Sequence, residues 1–505
     1  MTSPFYRSLE QWAALRPEEI VLIEGARSIT YREWNDGANR LAAGFLKRGL
    51  KAGDIVVART RNRIEWALIA SATAKIGARL LIQNWRLTPG ETRYVMENAR
   101  ASAFICDDAD PGALGAALEG LDLKLKAAID VSAPGFERFD ALFESHADML
   151  YARANPSLVV YTSGTTGSPK GVEMPRRDPP LASEKSEPRG EAGAGLVNMP
   201  VHHGSGANQI WSYLASGRHI VLVRKFDPED TLRLIEKHRI THWNGVPTMY
   251  KRISGLPESV IFRYDLSSLK AISIGAAPCA WPLKEWILET FGEILSEGYG
   301  STETGMITNM PPDMQRKKPG SSGIPYPDVE IEIRDRDGRK VQVGVEGDIW
   351  VRSSLTIENY VNSPKLEADV RCGKGFFKVG DVGRIDGDGF LFITDRAKDM
   401  IISGGVNIYP AEIETVLLSH PAVQDAAVVG APNDEFGEEV WAFVEVKPGR
   451  SIAEKDLITH AKSELAGYKL PRRVEFVTEL PRNTMGKLLK RELREKLWAG
   501  RERRI

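Results

Sequence analysis

"YTSGTTGSPKGVEM", Tyr161 to Met174, sets hydroxyls, glycines and a single lysine between two runs of β-type residues. "LVVYTS" ends as a strand and "GVEM" resumes one, so the polar residues between them form a tight connection across a sheet edge. Glycines let consecutive backbone N–H groups converge on one concavity, the Ser and Thr hydroxyls add donors, and Lys170 adds a point charge. Such a loop suits phosphate oxygens. A flexible Gly/Ser linker is the plain alternative, but linkers rarely place a proline (Pro169) beside a lysine or sit between strands. A Walker A loop is the other competitor. Its G-x-x-x-x-G-K-[ST] spacing fails because Pro169 precedes the lysine and Gly171 follows it.

Working outward, the first 150 residues alternate helix and strand signals. In "SITYREWNDGANRLAAGFLKRGLKAGDIVVA", Thr30 and Glu33 can form a capping box, Trp34, Ala38, Leu41 and Phe45 recur at helical spacing, and Gly53–Asp54 turn the chain into the strand "IVVA". The same alternation in "WALIASATAKIGARLLIQ" and "DTLRLIEKHRITHWNGVPTMY" predicts an α/β fold, a layered sheet with helices on its faces. Between Pro175 and Gly195 charge, Pro and Gly displace large apolar residues, which predicts a surface loop. "GFLFITDR" reads as a strand, and "AEIETVLLSHPAVQDAAVVGAP" as a helix then a strand. The chain therefore divides near Lys398 into a large unit, 1–397, and a small one, 398–505.

The bulk numbers bound the chemistry. With 505 residues and 42% apolar content, one core is too little and at least two folding units are expected. Lys plus Arg number 67 against 68 Asp plus Glu, a net charge of -1, so no long-range field favours nucleic acid or an anionic membrane. Any anion must be bound locally. The three cysteines, Cys106, Cys279 and Cys372, are scattered and outside any C-x-x-C pair, which argues against a disulfide framework or a zinc site and for a reducing, cytoplasmic setting. No secretory leader and no apolar run of membrane-spanning length is read from the sequence.

Five motifs in order, "YTSGTTGSPKG", "GYGSTETG" (Gly298–Gly305), "KVGDVGRID" (Lys378–Asp386), "TDRAKDMIISGGVNIYPAEIE" and "PRNTMGKLLKREL" (Pro481–Leu493), give nearly the whole chain a resemblance to the adenylate-forming superfamily. That superfamily includes acyl-CoA synthetases, adenylation domains of peptide synthetases and firefly luciferase. The resemblance implies a large, multi-layered N-terminal domain with α/β sheets and a small, mobile C-terminal α+β domain turning about a hinge at Lys398. It also implies ATP with magnesium, and CoA as acyl acceptor.

Residue roles follow from the matching positions. Thr162, Ser163, Gly164, Thr165, Thr166, Gly167 and Lys170 would hold the phosphates, with Thr165 and Glu303 on the metal. Tyr299 could stack on a planar base, Thr302 could bond a phosphate and Glu303 could bind a hard cation; taken alone, the same turn is simply polar with a solvated glutamate. Gly275, Ala276, Ala277 and Pro278 match the segment lining the adenine pocket, and Gly300 lies in the same nucleotide wall. A carboxylate such as Asp381 can accept from both ribose hydroxyls, as the matching aspartate does. Arg396 reads as a planar donor to the ribose and phosphate side, a surface arginine being its alternative. Lys487 matches the lysine required for adenylation, an ammonium delivered to the charge developing between carboxylate and α-phosphate. Its setting also resembles a site that protein acetyltransferases modify, and acetylation would remove that charge. Gly404 and Gly405 match the border of a pantetheine tunnel.

"NMPVHHGSGANQIWSYLASG" matches the segment that gates the acyl pocket, with His203 as the gate or a structural histidine. Trp211, Trp243, Val246, Pro247 and Gly298 complete the expected wall. That wall is mostly apolar, without an evident Arg or Lys, and favours a monocarboxylic acyl or aryl acid. After "KGV" this chain departs from the superfamily's usual hydroxyl–histidine pair and apolar helix. The resulting expectation is an ATP-dependent acid:CoA ligase, with carrier-protein acylation, a luciferase-like oxygenase and an inactive nucleotide sensor as alternatives. CoA is the simpler acceptor because no carrier domain is read after Lys487. Expected partners are the small acid, ATP, CoA, a second copy in a homodimer and an acetyltransferase, with no nucleic acid.

Overall fold

Glu33 N–H donates to Thr30 Oγ1 at 3.1 Å and Thr30 N–H to the Glu33 carboxylate at 2.8 Å, closing the capping box that starts helix Tyr31–Lys47. Its stripe of Trp34, Ala38, Leu41 and Phe45 is fully buried. Helix Ile64–Lys75 is apolar on nearly all sides, which suits a central position, and Trp66, Ala67, Ile69, Ala70 and Ala72 are indeed buried. The computed structural model describes residues 8–147, 150, 157–162, 169–174, 193–276, 279, 281–335, 337–357, 359–362, 375–396, 401–408, 410–481 and 490–499.

These two helices share one core with strands of two sheets. One sheet has seven strands, in the order 137–138, 125–128, 103–106, 55–59, 79–82, 158–162 and 170–174, and is parallel until its last pair. That last pair is Leu158–Thr162 with Lys170–Met174, antiparallel with Thr162 opposite Lys170. The two strands expected to flank the opening loop are therefore present and paired at the sheet edge, while residues 163–168 lie outside the described set. The other sheet has nine strands, in the order 324–325, 305–310, 295–301, 271–275, 240–245, 194–197, 219–222, 20–24 and 27–30. A four-stranded antiparallel sheet follows, 330–334, 347–352, 377–385 and 391–396. The layered α/β architecture matches the expectation.

One expectation is corrected. The loop read from Pro175 to Gly195 ends too late, because Ala194–Val197 is a fully buried strand between its parallel neighbours 219–222 and 240–245. A Cβ on Gly195 would lie 2.2 Å from the Tyr213 ring, so the close helix approach selects the residue that made the stretch look like loop. Residues 175–192 lie outside the described set.

Beyond residue 400, strands 401–403, 406–408, 423–433, 437–446 and 473–477 form a mixed sheet. Alternation along Val423–Asn433 splits its burial. Ala426 and Val428 join helices Pro410–Ser419 and Glu454–Glu464 in one core, while Ala427 and Val429 join Leu493 of helix Lys490–Leu497 in another. The small unit is thus a sheet covered on both faces.

Lys75 ends the central helix with its ammonium buried, donating to Glu10 at 2.5 Å, Asn35 at 3.0 Å and the Leu150 carbonyl at 2.7 Å. Removing one partner of a buried pair strands the other charge. Lys75→Met is expected to lower unfolding stability by about 3 kcal/mol, read as a shift of the urea midpoint at unchanged slope.

Candidate active site

A cavity of about 2430 Å³ lies where the carboxyl ends of the nine-stranded sheet, the edge of the seven-stranded sheet and the C-terminal unit meet. Parallel sheets leave backbone and loop groups converging at this end of the strands. Strand Leu295–Ser301 delivers the "GYGSTETG" motif to it. Thr304 N–H donates to Ser301 Oγ at 3.2 Å, closing a turn that presents Thr302 and Glu303 to the cavity. Ala276, at the end of strand Ala271–Gly275, takes a left-handed φ of 63°, which is unusual for alanine and locates backbone strain in the adenine-pocket segment.

Two of the candidates on the sugar side, Tyr299 and Asp381, are in contact. Tyr299 Oη donates to Asp381 at 2.6 Å, and Asp381 is 8% exposed. Strand register places Arg396 directly opposite Asp381, so both ribose candidates sit side by side on neighbouring strands. Glu303 lines the cavity with its carboxyl pushed up by loss of hydration, against the pull of Lys170 and hydrogen bonds that include Tyr360 Oη at 3.5 Å. Lys170 Nζ in turn lies 5.1 Å from the centre of the Tyr360 ring. Tyr360 thereby links the phosphate-loop lysine to the metal-binding candidate. Reading motifs one by one could not find it, because it stands outside all five.

Glu303 and Thr302 offer hard oxygens to a divalent ion. Among the described residues there is no cluster of three or more His, Cys, Asp or Glu side chains suited to a metal. One carboxylate fits magnesium, which keeps water and phosphate oxygens as its remaining ligands, better than it fits a metal needing an all-protein cage.

The acyl side departs from expectation. His203 lines the cavity just before helix Gly204–Ala215, with its ring 4.6 Å from His202. Burial and nearby Arg86 push His203 down to about 4, burial and Arg218 do the same to His242, and burial depresses His202 further. All three are neutral near pH 7. Trp211 is not in the wall: it packs against Trp34 and Trp66, both centroids 6.4 Å away, in the core between the sheets. Trp243 does line the cavity, although it is only 1% exposed and packs on Tyr250 at 4.4 Å. Pro247 begins helix Pro247–Ser254, while Val246 and Gly298 do line the cavity. Much of the remaining wall is polar, including Gln209, Ser212, Tyr213, Asn244 and Ser273, and the cationic Arg86 also lines it. The lining as a whole is still more apolar than polar, and Arg86 is a cation of the cavity that the sequence did not suggest.

Gly404 and Gly405 turn the strand pair 401–403 and 406–408 with φ of 59° and 78°. A Cβ on Gly405 would meet Val246 at 3.0 Å, so the two units close on each other through a glycine. Thr162, Gly275 and Gly300 also line the cavity. Ser163, Gly164, Thr165, Thr166, Gly167, Ala277, Pro278, Lys398 and Lys487 lie outside the described residues.

The profile of AMP-binding enzymes matches residues 9–361, and that of the AMP-binding enzyme C-terminal domain matches 412–487. The chain belongs to the AMP-binding enzyme family. It is 34% identical over 502 residues to a 2-succinylbenzoate–CoA ligase of Geobacillus kaustophilus (strain HTA426), covering 96% of each chain. It is 33% identical over 502 residues to the fatty acid–[acyl-carrier-protein] ligase ScoC of Streptomyces coeruleorubidus, covering 96% of this chain and 94% of that one. Among solved structures, it resembles a double mutant of o-succinylbenzoate CoA synthetase (MenE) from Bacillus subtilis bound with its product analogue OSB-NCoA. That match has a TM-score of 0.83, 28% identity, and coverage of 98% of this chain and 99% of that one. Against MenE with the acyl-adenylate intermediate OSB-AMP, the TM-score is 0.66 at 28% identity, covering 97% and 98%. The overall likeness is therefore greater to the structure bound with the product analogue than to that with the acyl-adenylate.

Two outcomes are expected from this AMP-binding enzyme. Glu303→Gln keeps the shape but removes the charge facing the metal, and should lower magnesium-dependent pyrophosphate release about a hundredfold or more in a coupled phosphate assay. The depressed histidines bind protons in the unfolded chain below about pH 6.5 but not in the folded one until about pH 4, so stability falls as pH drops across that window. Urea midpoints between pH 7 and 4.5 should decline, and less steeply in His203→Gln.

Proposed function

We propose that this AMP-binding enzyme joins a carboxylic acid carrying polar substituents to AMP and then passes the acyl group to the thiol of CoA. The observation that carries the reading is one continuous cavity holding Tyr299–Asp381 and Glu303 on one side, a polar acyl wall behind His203, and the Gly404–Gly405 turn at its border.

A carboxylate is a poor acyl donor because oxide is its leaving group. In the first step a carboxylate oxygen bonds to the α-phosphorus of ATP and the bond to pyrophosphate breaks. In the second, the CoA sulfur bonds to the acyl carbon, AMP leaves with the electron pair of the broken C–O bond, and the thiol proton is lost. Tyr299, Asp381 and Arg396 hold the nucleoside. Lys170 and the residues 163–167 meet the phosphates. Magnesium on Glu303, and on Thr165, would neutralise the departing pyrophosphate. His203, neutral at working pH, separates the acyl wall from the nucleotide without drawing the carboxylate away from phosphorus. Lys487 supplies the ammonium that balances charge in the first step, and the unit beginning at Lys398 carries it.

CoA is favoured as acceptor by the likeness to 2-succinylbenzoate–CoA ligase and to MenE bound with a CoA-product analogue, while the small residues Gly404–Gly405 leave room for the pantetheine arm that either acceptor would carry. The likeness to ScoC supports the carrier-protein acceptor as the second reading. Lys487 is also the position at which acetylation would stop the first step, and a homodimer remains compatible with this chemistry.

The test measures pyrophosphate release and AMP formation with a panel of aliphatic, aryl and hydroxylated acids, with and without CoA. Hydroxylated or keto-substituted acids should outperform plain alkyl acids of equal length. Lys487→Ala, or acetylation of that amine, should reduce adenylate synthesis about a hundredfold or more, while supplied acyl-adenylate still reacts with CoA. Unimpaired adenylate synthesis by Lys487→Ala refutes the assignment, and arrest at the adenylate despite CoA favours the carrier-protein reading.

A further inference from the structure

Lys469 belongs to the C-terminal unit and is 3% exposed, yet its ammonium is shared between the two units. It donates at 2.8 Å to Glu91, in helix Pro89–Ala99 of the large unit, and at 2.7 Å to Glu412, in helix Pro410–Ser419 of its own. Both carboxylates are themselves largely buried, at 9% and 7% side-chain exposure. We propose that the Lys469–Glu91 pair is a latch that holds the C-terminal unit in the orientation for thiol transfer, making Glu91 a positioning residue for the second half-reaction. The inference rests on the ligase reading above.

Three observations support it. First, the overall likeness is greater to MenE with its CoA-product analogue than to MenE with its acyl-adenylate. Second, the latch is built to open without stranding a group. Glu91 also accepts from Thr88 N–H at 2.8 Å in the capping box of its helix, and Lys469 keeps Glu412 inside its own unit. Each half retains a partner when the units part, so only the bridging charge pair depends on their orientation. A buried carboxylate–ammonium contact is worth far more than an exposed one, so making or losing it can bias a two-state arrangement.

Third, the other polar contacts between the units among the described residues are more exposed or longer. Lys251 Nζ donates to the Asp434 carbonyl at the solvent-facing edge. Asn84 reaches Tyr468 Oη at 3.3 Å, Thr88 Oγ1 reaches the Glu464 carbonyl at 3.5 Å, and Arg252 faces Glu435 at 4.0 Å in solvent. Exposed pairs of that kind contribute little. The charge at Glu91 is therefore the part of the interface that distinguishes one orientation from another.

Glu91→Gln is the discriminating variant, because glutamine can still close the capping box. Adenylation, read by ATP–pyrophosphate exchange, should stay within about twofold of the parent, while single-turnover consumption of preformed acyl-adenylate by CoA should slow about tenfold. Glu412→Gln, which leaves the bridge to Glu91 in place, should lower stability but change both half-reactions together. Hydrogen–deuterium exchange of residues 464–472 in the ligand-free protein should speed up in Glu91→Gln and needs no acid substrate. Faster exchange with a selective loss of the second step supports the latch. Unchanged exchange, or equal effects on both steps, overturns it. If no acid yields an adenylate even in the parent, the ligase reading fails while the exchange result still decides the latch.

Discussion

Local neutralisation of phosphate charge is the constraint on which this structure turns. A chain with a net charge of -1 has no global field to draw in ATP, so each negative oxygen must meet a specific group. The candidate groups come from several elements, with Lys170 and Arg396 as the cations and the carboxylates Glu303 and Asp381 as candidates for a divalent ion and for ribose hydroxyls. Lys170 begins the antiparallel edge strand, Glu303 sits in the turn after a central parallel strand, and Asp381 and Arg396 lie opposite each other in a third sheet. Tyr360 joins the first two of these, touching Lys170 through its ring and Glu303 through its hydroxyl. The carboxyl of Glu303 is raised because burial outweighs those partners, so the site is short of positive charge beside it. A divalent ion is the natural complement.

Much of this was legible in the sequence because it is local. The capping box of Thr30 and Glu33, the strand edges around the opening loop and the helix–strand run after Ile64 each depend on residues within a few positions of one another. Asp381 and Arg396 are each singled out by the family motifs, and it is the strand register that shows them opposite each other. What failed was longer in range. Trp211 looked like a pocket aromatic, but whether a helix points a ring into a cavity or a core is decided by the facing elements, here Trp34 and Trp66. Gly195 looked like loop because Ala and Gly carry little strand signal, and only the approach of Tyr213 explains it. Tyr360 and the Glu91–Lys469 bridge join residues far apart in sequence and belong to no recognised motif.

Two half-reactions with different nucleophiles cannot both be served by one rigid closure. The small unit has buried clusters on both faces of its own sheet, so a change of its orientation would not require it to unfold. Among the described residues its contact with the large unit includes a glycine turn against Val246, a few hydrogen bonds and the buried pair of Lys469 with Glu91. A broad apolar interface would fix a single orientation. A small one with a directional ionic contact allows exchange between arrangements at a modest free-energy difference.

The acyl wall carries a different kind of information. Gln209 Nε2 donates to the Leu196 carbonyl and to Tyr213 Oη, which fixes its amide and leaves Oε1 without a hydrogen-bond partner among the described residues. The Gln83 amide and both ring nitrogens of His202 are in the same condition, and all three residues line the cavity. These atoms have almost no accessible surface of their own, so they lie behind the cavity surface and shape the wall rather than offering a hydrogen bond to what enters it. The nucleotide half of the cavity is separate from them, and it would serve any carboxylate placed against it.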